Sequence, residues 1–68
     1  MFNRQEYEGH LELIDDHIEE LQERINFLKR RITGMESEGY ETRPQAELLT
    51  NMRRVMQGLQ VIRLETLE

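Results

Sequence analysis

Apolar residues recur along the first half of the chain in steps of four and three: Tyr7, Leu11, Ile14, Ile18, Leu21, Ile25, Leu28, Ile32 and Met35. That spacing keeps one stripe on one side of an α-helix for about four heptads, the pattern of a coiled-coil seam. With Leu11 at heptad position a, every seam residue falls at a or d. A second series, Leu48, Met52, Val55, Leu59 and Ile62, runs through the other half and is widened by Leu49 and Met56. Between the two series the pattern breaks at Gly39 to Thr42. The prediction is an all-α fold, an antiparallel two-helix hairpin with coiled-coil-like packing. Helix 1 is expected over Arg4 to Glu38 and helix 2 over Arg43 to Leu67, with the turn at Gly39 to Thr42 and residues 1–68 in a single domain.

The helix ends carry their own signals. Asn3 suits an N-cap, Glu6 sits at N3 where it can reach back to the cap, and Phe2 and Tyr7 occupy the two positions of a hydrophobic staple. Gly9 lies inside helix 1 and costs roughly 1 kcal/mol relative to alanine, so the turns before Leu11 are open to fraying. Gly39 is the natural C′ residue, with Tyr40 at C″ placed to pack on Met35 in a Schellman motif. Gly34 is a rival stop one turn earlier, but Met35 beyond it still belongs to the seam. Thr42-Arg43-Pro44-Gln45 reads as a second capping box, and Pro44 falls in the first turn, where its missing N–H removes no helical bond.

Laid side by side from the turn outward, the seams pair Met35 with Leu48, Ile32 with Met52, Leu28 with Val55, Ile25 with Leu59 and Leu21 with Ile62. Helix 2 then ends near Ile18, leaving Tyr7, Leu11 and Ile14 projecting on the order of 15 Å past it. Val61, Leu64 and Leu67 lie off the seam at the far end of helix 2. An apolar stripe in water needs a cover, so Tyr7, Leu11, Ile14, Ile18, Leu64 and Leu67 are the expected oligomer or partner interface. Leu13 and Phe27 sit at c positions, opposite the seam, either as ordinary isolated surface residues or as a second contact surface.

Charge adds an orientation. Helix 1 is acidic from Glu6 through Glu23 and basic at Arg24, Lys29, Arg30 and Arg31. The gradient suits the helix dipole, and it also makes two antiparallel copies of helix 1 complementary. The expected assembly is a homodimer forming a four-helix bundle, with an unidentified protein as the other possible partner.

Size argues for such an assembly. A chain of 68 residues buries only about 60% of the surface it exposes when unfolded, and chains this small are commonly completed by disulfides, a metal or oligomerisation. There is no cysteine, which removes disulfides and thiolate sites and fits a reducing compartment. The net charge of −5 and low hydropathy resemble those of a disordered chain, but the apolar spacing is too regular for that reading. No eighteen-residue apolar run or signal-peptide stretch is present, and a cytoplasmic, membrane-free protein is expected.

Catalytic chemistry finds no foothold. His10 and His17 share position g, about 10 Å apart, too far to hold one metal ion. Asp15 and Asp16 point about 100° apart on a helix and do not make an acid–base pair. Ser37 is a lone turn residue, and no glycine-rich phosphate loop or cysteine nucleophile occurs. No enzyme activity, cofactor or metal is expected. Lys29, Arg30, Arg31, Arg53 and Arg54 fall near one level and form a basic collar, a candidate anion or nucleic-acid patch. The acidic pI of about 5.0 and the lack of aromatic residues among these cations argue against it.

One resemblance covers most of the chain. His10-Leu11, His17-Ile18, Gly39-Tyr40-Glu41-Thr42 and Ala46-Glu47-Leu48-Leu49, with Met52 and a late Arg63, resemble a class of short proteobacterial proteins. Those are expected helical hairpins with a Gly-x-x-Thr connector before an Ala-x-x-Leu-Leu segment, and the class has no assigned activity. This chain departs from it in the insertion Arg43-Pro44-Gln45 and in Ile62, where a histidine often precedes the arginine. The resemblance implies a bacterial cytoplasmic origin and nothing catalytic.

Overall fold

The computed structural model describes the backbone of residues 4–67 and the side chains of residues 9–67. Within them the chain forms two helices, α1 (Arg4–Ser37) and α2 (Arg43–Leu67), folded back on each other as a hairpin. The expectations for Phe2, Asn3, Glu6 and the Tyr7 side chain lie outside the described residues. The molecule is a rod of 57 × 15 × 13 Å.

The turn is built by the last residues of α1. Gly39 takes a φ of 82°, a left-handed conformation that costs a residue with a Cβ about 1–2 kcal/mol. Its N–H donates to the Glu36 carbonyl at 3.0 Å, and the Tyr40 N–H donates to the Met35 carbonyl at 3.0 Å. These are the two bonds of the Schellman motif, satisfying carbonyls that the helix end leaves without partners. Tyr40, the residue expected to pack on Met35, is 63% exposed.

The start of α2 departs from a capping box. The Ala46 N–H donates to the Thr42 carbonyl at 2.8 Å, so the helix begins where the sequence places it. The Thr42 hydroxyl, however, donates to Glu36 Oε1 at 3.2 Å, tying the turn back to α1. Gln45 does not reach back to the cap; its Oε1 is buried without a hydrogen-bond partner.

On α1 the inward line is the seam read from the sequence. Ile25 and Leu28 are buried, and Leu11, Ile14, Ile18, Leu21, Ile32 and Met35 are half-buried. On α2 the inward line is rotated from the expected one. It runs through Gln45, Leu49, Met52, Met56, Leu59, Arg63 and Thr66, with Met56 buried. Leu48, Val55 and Ile62, expected inside, are instead exposed. Two heptad lines overlap on this helix and share Met52 and Leu59, so apolar spacing alone does not choose between them. The chosen line ends in polar groups that find partners. Arg63 Nε donates to Asp15 Oδ1 at 2.5 Å, and the Thr66 hydroxyl donates to the Ile62 carbonyl at 2.8 Å.

The register differs too. Leu28 lies beside Leu48 and Met52, Leu21 beside Val55 and Leu59, and Ile25 beside Met56, about one helical turn from the expected pairing. The cause is the turn, which sets the first residues of α2 level with the last of α1, as the Thr42–Glu36 bond records. Helix α2 therefore reaches further along α1 than expected. From the Asp15–Arg63 pair, four more residues bring Leu67 level with Leu11. Leu11 and Ile14 are half-buried beside the last turn of α2 and do not project beyond it.

The resulting core is small. Among the described residues only Ile25, Leu28 and Met56 are buried, at 5%, 7% and 7% exposure, each worth about 1.5–3 kcal/mol. The chain exposes 5723 Å², against about 4,500 Å² for a globular monomer of its 8.2 kDa.

Candidate interaction surfaces

A hairpin has two flanks, and the heptad assigns residues to them. On α1, positions g and e lie on opposite sides of the a/d seam. His17, Arg24 and Arg31 are at g; Asp15, Gln22 and Lys29 are at e. The grooves between α1 and α2 divide the same way.

The first flank carries two adjoining recesses. Near the turn, Phe27, Leu28, Leu48 and Met52 form the apolar wall of an open groove of about 670 Å³, bordered by Arg24, Arg30, Arg31 and Glu23. Toward the free end it continues into a second, of about 490 Å³, lined by His17, Glu20, Leu21, Arg24, Val55 and Leu59. Arg24 borders both and pairs with Glu20 at 2.7 Å, an exposed i,i+4 bridge that leaves the rim near neutral there. Ile62 lies two turns beyond Val55 on the same line of α2, and Leu13 shares position c with Phe27 on α1. This flank therefore gathers Leu13, Phe27, Leu48, Val55 and Ile62, each about half or more exposed.

The second flank is polar near the turn and more apolar toward the free end. One recess is lined by Gln22, Lys29, Arg53 and Gln57 around the edges of Ile25 and Met56. The other is lined by Asp15, Ile18, Gln60, Arg63 and Leu64 and contains the Asp15–Arg63 pair. That pair is the one ion pair between the helices among the described residues. It is 40–50% exposed, so its contribution is roughly 0.2–1 kcal/mol.

The residues singled out from the sequence are distributed over these surfaces. Leu11, Ile14 and Ile18 are half-buried on the inner line of α1, and Leu64 and Leu67 are exposed at the end of α2. The cations of the collar are all exposed, but they are not gathered on one face. Lys29 and Arg53 border a recess of the second flank, and Arg30 and Arg31 border the first. Arg54, next to Arg53 on the helix, borders neither. His10 and His17 are exposed, and no group of three or more His, Asp or Glu among the described residues is placed to hold a metal ion. No helix among those residues is long and apolar enough to cross a membrane.

The residues that sequence reasoning placed in the core, Leu48, Val55 and Ile62, are the ones that make the first flank apolar. Their signal was the width of the apolar sector on α2. Three of seven heptad positions are apolar there, and one neighbouring helix does not cover them all. No protein family, curated protein or solved structure matches this chain.

Proposed function

We propose that this protein is a non-enzymatic interaction or scaffolding module that works as a homodimeric helical bundle in the cytoplasm. The observation that carries the reading is the unburied apolar line Leu48, Val55 and Ile62, set against three buried side chains among the described residues. A lone hairpin has no use for that line, whereas a bundle requires it: helices that face two neighbours carry a wider apolar sector than a two-stranded seam does.

The test is the mass in solution by light scattering across a wide concentration range. A particle of twice 8.2 kDa that persists on dilution supports the reading. A folded particle of 8.2 kDa at every concentration ends the homodimer and leaves the line for a different protein.

A second reading, a regulator touching nucleic acid, draws on Lys29 and Arg53 facing one recess. Phosphate contacts weaken steeply with salt. This reading requires duplex binding at low salt that is lost when Arg30, Arg31, Arg53 and Arg54 become glutamine; no binding at low salt removes it.

A further inference from the structure

The exposed residues of the first flank have a spacing that matches itself. Phe27 and Leu48 border the same groove near the turn. One heptad along, Glu20 and Val55 border the next. One heptad further come Leu13 and Ile62, both exposed. The levels follow at about 10 Å intervals: an apolar pair, a mixed pair, an apolar pair. Turned end over end about Val55, the pattern falls on itself.

Resting on the homodimer reading, we infer that the occupant of this flank is a second copy of the chain, packed face to face about a two-fold axis that passes beside Val55, with the turns at opposite ends. Helix α2 then lies antiparallel to its mate. Val55 meets Val55 of the second copy on the axis, Leu48 meets its Ile62, and Phe27 meets its Leu13. The interface is isologous, as closed dimers require.

Charge bears on the orientation. Near the turn the flank is bordered by Arg24, Arg30 and Arg31 with Glu23, Glu20 stands at the middle level with Val55, and Asp16 is exposed on the free half of α1. End-over-end packing sets α1 against α1 in reverse, which brings Arg24 toward Asp16 of the second copy and Glu20 toward its own counterpart at the axis. As an elongated rod the hairpin exposes roughly 1,200 Å² more over its whole surface than a globular monomer of its mass, and a standard interface covers about 800 Å² on each partner. Among the described residues, the large apolar side chains exposed on the second flank are Leu64 and Leu67, at its far end.

Because the chain contains no cysteine, single cysteines can read the geometry directly. Val55→Cys should link to itself almost completely on mild oxidation, since a disulfide needs Cα atoms within about 7 Å. Leu48→Cys alone should stay unlinked, its mate lying about 20 Å along the axis. A mixture of Leu48→Cys and Ile62→Cys should link. Val55→Glu should raise the dissociation constant about a hundredfold or more and keep its helical circular dichroism, because Val55 is 56% exposed within the hairpin. Light scattering of the unmodified chain, run in parallel, separates the failures. A monomer overturns the homodimer reading and this inference with it. A dimer in which Gln57→Cys links and Val55→Cys does not overturns the face alone. A dimer linked by mixing Phe27→Cys with Leu48→Cys, but not by Val55→Cys, overturns the orientation alone.

Discussion

The two flanks of one hairpin are made by the same pair of helices, yet near the turn they differ. There the first has an apolar wall of Phe27, Leu28, Leu48 and Met52 under a charged rim, while the second sets Gln22, Lys29, Arg53 and Gln57 around the edges of Ile25 and Met56. The difference comes from α2. Its apolar sector spans three heptad positions, and α1, whose own seam is only a and d, covers two of them. The uncovered position faces one side, so the surplus is directional. A hairpin built only for its own stability would have placed polar residues there, as it does at Arg53 and Gln57 on the other side of α2.

The contrast can be attacked first at the line both flanks depend on. Met56→Ala should lower stability by about 2–5 kcal/mol in urea unfolding followed by circular dichroism. Gln57→Ala, the next residue and on the second flank, should stay within about 0.5 kcal/mol. Equal losses from the two would mean that the inner line is misassigned.

Next in size is assembly. Replacing Leu48 and Ile62 together with glutamine should leave the hairpin helical and reduce the mass to a single chain. Replacing Leu64 and Leu67 together should leave the mass unchanged. The reverse result would move the interface to the free end, the location the sequence reading favoured.

The ion pair should matter less. Asp15→Asn removes the partner of a half-buried Arg63 whose side chain is still 40% exposed, and a loss of no more than about 1 kcal/mol is expected. A larger loss in the unfolding midpoint would make this pair, and not the apolar line, the element that sets the register. Smallest of all, Lys29→Gln or Arg53→Gln should change stability by less than about 0.5 kcal/mol, because each removes one of two like charges bordering an exposed recess. A substantial destabilisation by either, at low or high salt, would show that the second flank holds a contact of its own.

Legibility in the sequence followed the uniqueness of each pattern. The α1 seam has no competing line: the positions flanking it from Leu11 to Met35 are almost all charged or polar, so Ile25 and Leu28 could be placed inside with nothing else known. Gly39 was legible for a similar reason, since the left-handed turn it makes is open to few other residues. On α2 the lines through Leu48–Val55–Ile62 and Leu49–Met56 share Met52 and Leu59, and the fully apolar one was the natural reading. It was the wrong one for the hairpin core, and by the same error the exposed flank was missed.

Two helices, the place of the turn and the covered side of α1 were all readable from the residues alone. These follow from local periodicity and backbone preference, which act within a few residues. Which face of α2 turns inward, how far it slides along α1, and therefore which apolar line is left in water, were decided only in the tertiary structure. The turn holds α2 level with the end of α1, Thr42 ties to Glu36, and Arg63 meets Asp15 across 48 residues of chain. Periodicity specifies a helix face up to a rotation between overlapping heptads, and only the partner helix removes that freedom.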